Sequence, residues 1–487
     1  MNGQTYEAVI GIECHVELRT ETKMFCGCRN VFGAEPNTNV CPVCLGMPGA
    51  LPVPNRVALE HTIRAGLAFA AEIPAYSKFD RKNYFYPDMP KDYQISQYDM
   101  PITSGGVVEY VLDDGTRKSC RLTRIHLEED TGKSTHGGSS DGRIAGSAFS
   151  LVDFNRAGVP LMECVSEPDI RSAAEAVAFL EALKRTFVAL GVSDVKMEEG
   201  SLRCDANVSI RPAGATEYGT KTEIKNMNSF RSVFRAIESE IARQEAILRD
   251  GGRIVQETRG WDEVTGTTHS MRSKEEAHDY RYFPDPDLTP IELTPAEIDR
   301  MRPRAEDLPQ HMLAVLVAEN VPVKRAHQIV DDAGLAAFYR SVAAKTKAPA
   351  ATANFLLADP ARLANESGTP VHEGLSERAA VELIQLVAAG TIGSKTLKAV
   401  LERVWGTGES PAEIVEREGL AQVSDRGAVE AYVRDVLAAQ GKSVADYRAG
   451  KTNVLQFLKG QVMKTSGGKA DPVLVEELLK ESLSATP

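Results

Sequence analysis

The sequence predicts an α+β protein, in which a large N-terminal domain built on a mainly antiparallel sheet precedes an all-helical domain and a small helical tail. Up to about residue 290, short segments alternate apolar and polar residues between Gly/Pro turns, as half-buried strands do. Farther on, apolar residues recur at helical spacing, as at Leu397, Val400 and Leu401. Aromatic residues also thin out, since 23 of the 30 precede residue 293.

The chain is too long for one hydrophobic core, because 487 residues exceed what a single domain usually holds. Six prolines between residues 284 and 309 form a connector that no long helix could cross, and GTGESP at 406–411 is a second break. We therefore predict three domains, residues 1–292, 293–407 and 408–487.

Three helices stand out. The first domain should contain helices near residues 171–190 and 229–249. In the tail, Asp471 is placed to cap a helix that has Pro472 in its first position.

Composition excludes some classes of protein. A formal charge of −12 excludes a generally basic nucleic-acid coat but allows a local basic groove. The sequence has neither a run of about 18 apolar residues nor the plan of a signal or transit peptide, so we expect a cytoplasmic protein without membrane contact. In a reducing compartment, the eight cysteines favour metal ligands or buried thiols over disulfides.

Polar and apolar side chains alternate along residues 9–18. Alternation puts Glu13, His15 and Glu17 on one face of a strand and apolar side chains on the other. The same design recurs in three further segments, which carry Arg124, His126 and Glu128; Arg203, Asp205, Asn207 and Ser209; and Lys221, Glu223 and Lys225. One such strand is most often an ordinary half-solvated edge. Four such strands predict a single sheet whose exposed face binds a metal ion and phosphates. A ligand set of carboxylate oxygens with one imidazole favours Mg²⁺ as the metal ion.

The segment TGKST at 131–135 is half of a phosphate-binding loop motif. The motif needs a glycine five residues before Gly132, where this chain has Leu127. The acidic residues directly before it would also repel phosphate, so a turn close to the metal is the better interpretation.

Four cysteines form a CxC and a CxxC pair, Cys26 with Cys28 and Cys41 with Cys44. Two such pairs can close a tetrahedral four-thiolate site without an open position, which predicts structural zinc. The alternative is four ordinary thiols. The other four cysteines are expected to pack in the core.

Residues 77–101 interleave cations with aromatic rings. Such a mixture suits a single-stranded nucleic-acid end, although aromatic-rich turns are just as often corners of the core. The residues considered for this role are Lys78, Arg81, Lys82, Tyr84, Tyr86 and Lys91.

Several long motifs, in order along the chain, closely resemble the GatB family, which supplies one of the three subunits of the tRNA-dependent amidotransferase GatCAB. They are IGIECHVEL, KFDRKNYFYPDMPKDYQISQ, HLEEDTGK, DFNRAGVPLMECVSEPD, KMEEGSLRCDANVS, KTEIKNMNSF and DYRYFPDPDL. The resemblance covers the whole chain and implies a cradle-like catalytic domain followed by a helical domain and a tRNA-binding tail. The archaeal E-type relatives carry an extra inserted domain, for which this chain has no room.

The resemblance implies ATP-dependent transamidation of misacylated Asp-tRNA(Asn), Glu-tRNA(Gln) or both. A side-chain carboxylate would be phosphorylated and then attacked by ammonia. The amidase of the complex, GatA, would release this ammonia from glutamine, and the small GatC protein would be a third partner. The alternative is a non-catalytic tRNA-binding scaffold, but carboxylate-lined strands weigh against a pure polyanion binder. The class I synthetase signatures HIGH and KMSKS are absent.

The resemblance also assigns roles to residues. The expected catalytic residues are Glu13, His15, Glu128 and Glu129. The expected Mg²⁺ ligands are Glu13, His15 and Glu128, with Glu129, Glu163 and Asp205 as weaker candidates. Arg203, Lys221 and Lys225 would face ATP phosphates, and Asn155, Arg156, Asn226 and Asn228 would hold the aminoacylated 3′ end. In the tail, the cations expected to contact tRNA phosphates are Lys459, Lys464 and Lys469.

Overall fold

The α+β prediction is confirmed by the computed structural model, which describes residues 5–138, 147–273, 280–422 and 425–484. The chain separates into two compact units, Met1–Ala314 and Val315–Pro487. Regular strands lie in the first unit, and the second is helical. Among the described residues, no helix combines the length and apolarity needed to cross a bilayer.

Eight strands of the described residues form the main sheet. They are β1 (Tyr6–Glu17), β5 (Val107–Val111), β6 (Arg117–Glu129), β9 (Pro160–Ser166), β10 (Leu202–Pro212), β11 (Thr222–Lys225), β12 (Glu257–Asp262) and β13 (Thr267–Ser273). Their order in the sheet is β13-β12-β11-β10-β1-β9-β6-β5. Neighbouring strands are antiparallel except β11 and β12, which are parallel.

Shorter strands pair outside the main sheet. They are β2 (Tyr76–Ser77), β3 (Asp80–Asn83), β4 (Tyr93–Ser96), β7 (Lys133–Gly137), β8 (Phe149–Asp153), β14 (Phe283–Pro284) and β15 (Ile291–Glu292). They pair in the combinations β14-β3-β4, β15-β2 and β7-β8.

Three long helices belong to the first unit: α1 (Arg56–Ala68), α2 (Ala173–Ala189) and α3 (Phe230–Arg249). Both helices predicted in this region are confirmed, because α2 and α3 begin after the N-caps Ser172 and Ser229. The apolar face of β1 joins their buried residues in one core, with Ile12 packed in the same cluster as Phe179 and Ile237. The opposite, polar face of the sheet is thereby left for the site.

Two clusters of buried apolar residues lie in the described part of the second unit. One is formed by buried residues between Val342 and Val415, and the other by residues between Val429 and Leu483. The last helix begins at Pro472 as predicted, and the Asp471 carboxylate accepts hydrogen bonds from the backbone N–H groups of Val473 and Leu474.

The helices after the main sheet run from the connector to the tail. They are α4 (Pro295–Met301), α5 (Pro309–Ala318), α6 (Val323–Val330), α7 (Ala333–Thr346), α8 (Pro349–Leu356), α9 (Asp359–Ser367), α10 (Val371–Gly374), α11 (Glu377–Ala388), α12 (Ser394–Val404), α13 (Pro411–Arg417), α14 (Arg426–Ala439), α15 (Gly441–Arg448), α16 (Val454–Thr465) and α17 (Pro472–Ser484). The three predicted domains stay predictions.

The polar face of the sheet, predicted to be exposed, is in part buried. His126, Glu128 and Glu163 are only 3%, 1% and 9% exposed. The β3–β4 hairpin explains the burial of Glu128, since Ser96 of β4 donates a hydrogen bond to this carboxylate and Lys82 of β3 lies 3.9 Å from it. Alternation predicts which face a side chain occupies but not what covers that face.

Candidate active site

Four neighbouring strands bring one row of polar side chains onto the same face of the sheet. Arg203 of β10 lies opposite His15 of β1, which lies opposite Glu163 of β9. Glu163 in turn lies opposite His126 of β6. The Cβ atoms of directly opposed residues on antiparallel strands lie about 4.5–5.5 Å apart. This register therefore places the polar ends of neighbouring side chains close together.

His15 is the centre of a candidate metal-ligand set. Its Nε2 atom lies 3.4 Å from Oε2 of Glu163 and 3.7 Å from Oε1 of Glu128. One ligand atom of each residue lies within 4.8 Å of the other two. One imidazole nitrogen and two carboxylate oxygens are a donor set that suits a hard divalent cation.

The charges in this cluster support one another. Burial alone would lower the pKa of His15, but the hydrogen bond to Glu163 and the charges of Glu163 and Glu128 raise it to about 8. Burial would raise the pKa of Glu163, yet His126 and His15 hold it below its usual range. Below a pH of about 8, a protonated imidazole of His15 therefore lies beside the ionised carboxylate of Glu163.

Glu13 lies one row away from this set. It pairs in register with Asp205 and accepts a 3.4 Å hydrogen bond from the amide of Asn207. Burial, together with the negative charges of Glu163, Glu223 and Asp205, raises its pKa. Glu13 and Asp205 thus form an acidic flank rather than part of the three-residue set.

Cations line the side of the site that faces β10 and β11. The guanidinium of Arg203 donates a 2.7 Å hydrogen bond to Asp130. Lys225 forms ion pairs with Asp205 and, at 3.1 Å, with Glu223. Burial would raise the pKa of Asp130, but Arg203 and Arg156 hold it below its usual range. These ion pairs hold Arg203 and Lys225 in place.

A cavity of about 520 Å³ opens beside the cluster. Its wall includes the predicted residues His15, Glu128, Arg203, Asp205, Lys225, Asn226 and Asn228, together with Lys82 and Tyr84 of the covering hairpin. A volume of this size is typical of a small-molecule site. The cavity therefore offers carboxylates, imidazole and cations to a single ligand.

A second cavity of about 1160 Å³ shares Met197, Gly200 and Asn228 with the first. Arg156 contributes to its wall and donates hydrogen bonds to the carbonyls of Thr131 and Gly132. The first cavity lies beside the metal-ligand set, and the second lies beside the cysteine-bearing loop (residues 18–55, between β1 and α1).

Some predicted residues lie outside the wall of the first cavity. Glu129 forms an ion pair with Lys91 and accepts a hydrogen bond from the backbone of Ile95, away from the three-residue set. Lys221 precedes β11 and is not part of the wall of either cavity. Asn155 holds the cysteine-bearing loop, because its side chain bonds the backbone of Asn39 and Glu35.

The cations predicted to bind tRNA within residues 77–101 already have internal partners. Lys78 pairs with Asp80 and Asp99, and Arg81 pairs with Asp285 and Asp287. Lys82 and Lys91 pair with Glu128 and Glu129. The rings of Tyr84 and Tyr86 stack on each other at 5.5 Å. This segment therefore covers the site and holds its carboxylates.

The sequence prediction included neither His126 nor Asp130 among the site residues. His126 lies 3.4 Å from Glu163 and is fully enclosed. Alternation had placed it on the same face as Glu128, but only the pairing of β6 with β9 puts it beside Glu163. Asp130 directly follows β6, where no strand pattern singles it out.

The four cysteine thiols predicted to bind metal converge. The sulfur atoms of Cys26, Cys28, Cys41 and Cys44 all lie within 4.8 Å of one another. None of the eight cysteines forms a disulfide. The cluster could hold one metal ion, and a closed set of four thiolates has no position left for a substrate.

The tail lysines differ in their contacts. Lys459 forms a 2.7 Å ion pair with Glu476. Within the described part of the chain, Lys464 and Lys469 have no ion pair. Two of the three predicted cations are therefore available to a polyanion.

Comparison with known proteins identifies the family. Residues 8–299 match the GatB/GatE catalytic domain, and residues 337–483 match the GatB domain. A protein of Carboxydothermus hydrogenoformans, named as the B subunit of aspartyl/glutamyl-tRNA(Asn/Gln) amidotransferase, is 49% identical over 481 residues, which cover 98% of this chain and 99% of the relative. A protein of the same name from Moorella thermoacetica is 50% identical over 480 residues, covering 98% and 100% of the two chains. As subunits, these relatives belong to multi-subunit enzymes. The resemblance inferred from the motifs is thus confirmed, and the chain belongs to the GatB family.

Proposed function

We propose that this chain is the transamidating subunit of an amidotransferase that converts misacylated Asp-tRNA(Asn), Glu-tRNA(Gln) or both to the corresponding amides. The observation that carries the proposal is the cavity whose wall joins His15 and Glu128 to Arg203 and Lys225. Such a wall combines metal ligands with phosphate-binding cations, as phosphoryl transfer requires. The family and the names of the relatives support the same conclusion.

The chemistry requires an activated carboxylate. Ammonia does not displace oxygen from a carboxylate ion, so the γ-phosphoryl group of ATP is first transferred to a side-chain carboxylate oxygen, which forms an acyl phosphate and ADP. Ammonia then attacks the acyl carbon, the carbon–oxygen bond to phosphate breaks, and one proton from nitrogen leaves with phosphate. Such transfers depend mainly on positioning and charge neutralisation.

His15, Glu128 and Glu163 would hold Mg²⁺, since their ligand atoms converge within 4.8 Å and supply one nitrogen and two carboxylates. When bound, the ion neutralises charge on the ATP phosphates. His126 holds Glu163 from the other side, and Ser96 and Lys82 hold Glu128, so the carboxylate positions are fixed before any ligand arrives.

Arg203 and Lys225 would bind phosphate oxygens of ATP. Asp130 is the carboxylate partner of Arg203, and Asp205 is that of Lys225. Each partner holds its cation at the cavity wall. Asn226 and Asn228 offer amide groups to the substrate from the same wall, and Arg156 offers its guanidinium in the second cavity.

The wall of the first cavity contains no serine among the described residues, and therefore no serine–lysine pair of the kind used for glutamine hydrolysis. Ammonia would therefore come from glutamine hydrolysed by a separate amidase, GatA, with the small GatC protein as a third member of the complex. Under this proposal the enzyme is a carbon–nitrogen ligase with glutamine as amide donor. The four-cysteine cluster would hold structural Zn²⁺.

The proposal is tested by transamidation with the reconstituted complex. Asp-tRNA(Asn) and Glu-tRNA(Gln) are supplied separately with ATP, Mg²⁺ and glutamine or ammonium, and the amide-bearing tRNA and ADP are measured. Amide formation that requires ATP supports the proposal, and the two tRNAs distinguish the substrates. If the complex binds charged tRNA but forms neither acyl phosphate nor amide, the chain is a tRNA-binding scaffold instead.

The apparent affinity of the site for a divalent ion should increase with pH. The metal requires neutral His15, whose pKa is raised to about 8, so protons compete below that value. We expect affinity for Mn²⁺, used as a paramagnetic substitute, to rise up to about tenfold per pH unit between pH 6 and 8 and to level off above. Electron paramagnetic resonance titration measures it. His15→Gln should bind more weakly without this slope, and an unchanged slope would contradict the assignment of His15.

The tail should contribute tRNA affinity rather than chemistry. We expect a chain ending at residue 422 to keep the core that includes Ile414 and Val415 and to lose the separate core that begins at Val429. Its KM for charged tRNA should rise at least tenfold, while kcat at saturation changes less than about twofold, because phosphate contacts add binding without adding chemistry. Full-length Lys464→Gln/Lys469→Gln should show a smaller rise and a weaker salt dependence. Unchanged KM, or lost kcat, would contradict this role.

A further inference from the structure

Lys23 is a fully buried lysine beside the four-cysteine cluster. It is 1% exposed and is one of the largest fully buried side chains of the described residues. Its ammonium group lies 3.7 Å from the sulfur of Cys44 and donates to the backbone carbonyls of Asn39 at 3.0 Å and Phe154 at 3.4 Å. No carboxylate among the described residues lies within ion-pair distance of it.

Burying an ammonium ion costs several kcal/mol unless an opposite charge compensates it. Carbonyl oxygens supply only dipoles, so the remaining source of negative charge is the thiolate cluster. Four thiolates around one divalent ion carry a net charge of −2, which is itself costly in a half-buried loop. The ammonium of Lys23 and the negatively charged thiolate cluster therefore compensate each other's charge.

The contacts of Lys23 also join two parts of the site. Phe154, whose carbonyl accepts from Lys23, is followed by Asn155 and Arg156, which line the larger cavity. Asn155 accepts a 2.9 Å hydrogen bond from the backbone of Asn39, the residue whose carbonyl also accepts from Lys23. One ammonium group thus bonds both the cysteine-bearing loop and the segment that holds Arg156.

We propose that Lys23 is a positioning residue that neutralises part of the charge of a four-thiolate metal site and ties this site to the wall of the larger cavity. The inference rests on the proposed zinc site and adds a residue that is not a ligand. Loss of its charge weakens metal retention even though all four cysteines remain.

The test measures zinc retention in the full chain. Wild type, Lys23→Met and Lys23→Gln are purified without chelator, their zinc content is determined by mass spectrometry, and zinc release to an excess of a chromogenic chelator is timed. Glutamine can still donate to the two carbonyls, so it keeps hydrogen bonds but not charge. We expect release at least tenfold faster in both variants, whereas Lys118→Met, which removes a half-exposed lysine paired with Glu175, should match wild type.

A double-mutant cycle separates charge from packing. Cys28→His changes the net charge of the loaded site from −2 to −1, so the effect of Lys23→Met on release should shrink at least threefold in that background. Wild-type release rates in both Lys23 variants, or an equal effect in the two backgrounds, would overturn the inference while leaving the zinc site intact. Wild-type protein without zinc would overturn both. Circular dichroism identifies a misfolded variant, and the other Lys23 variant then supplies the result.

Discussion

Glu163→Gln is expected to lower ATP-dependent amide formation by on the order of a thousandfold, because it removes one of two carboxylate charges beside His15. Glutamine has nearly the same volume, so the side chain still fills the space between His15 and His126, which lie 3.4 Å away on either side. Glu128→Gln should have a similar effect, because it removes the other carboxylate charge of the set. The glutamine amide can still occupy the position next to Ser96. The loss should appear in kcat rather than in the KM for charged tRNA.

Transamidation by the reconstituted complex measures this loss, with glutamine hydrolysis by the partner amidase measured in the same samples. We expect hydrolysis to stay within about twofold of wild type, because that reaction takes place in another protein of the complex. Glu109→Gln is a matched control: this exposed glutamate lies on the edge strand β5, and its substitution should change neither activity. Amide formation near the wild-type rate in both Glu163→Gln and Glu128→Gln would contradict the proposed metal site.

Cys41→Ser is expected to abolish zinc binding and to destabilise the cysteine-bearing loop. The loop between β1 and α1 contains little regular structure. An isolated antiparallel β-bridge joins Thr22 to Arg29 within it. Met24 and Phe25 of this loop pack in the main core, but its four cysteines lie outside any helix or strand. Structural zinc sites bind with roughly 10 kcal/mol or more, which is enough to order such a segment. Removing one of four ligands should therefore free the metal and lower the melting temperature.

Mass spectrometry of the metal content and thermal unfolding measure both effects, and hydrogen exchange locates the loosening. Cys120→Ser is the control: Cys120 is buried in the main core, and its thiol donates to the backbone carbonyls of Arg121 and Glu167, so the zinc content should stay at one per chain. Full zinc content in Cys41→Ser would contradict the assignment. A metal-free variant that exchanges like wild type would show that zinc is not what orders the loop.

The sequence by itself determined the local structure of the site. Strict alternation determined that Glu13, His15 and Glu17 share one face of β1, because successive side chains of a strand point to opposite sides. Capping residues such as Ser172 and Ser229 determined where helices begin, since their side chains bond the first free N–H groups. The spacing of Cys26, Cys28, Cys41 and Cys44 determined the thiol cluster.

Only the tertiary structure decided which strands are neighbours. The motif resemblance makes Glu163 a metal-ligand candidate but gives it no partner. The order β10-β1-β9-β6 puts it between His15 and His126. Strand pairing depends on contacts between segments far apart in sequence, and no local pattern encodes those contacts. Burial was decided in the same way. The cations of residues 77–101 are typical of a nucleic-acid surface in sequence, but folding pairs Lys82 and Lys91 with Glu128 and Glu129, because buried charges require partners.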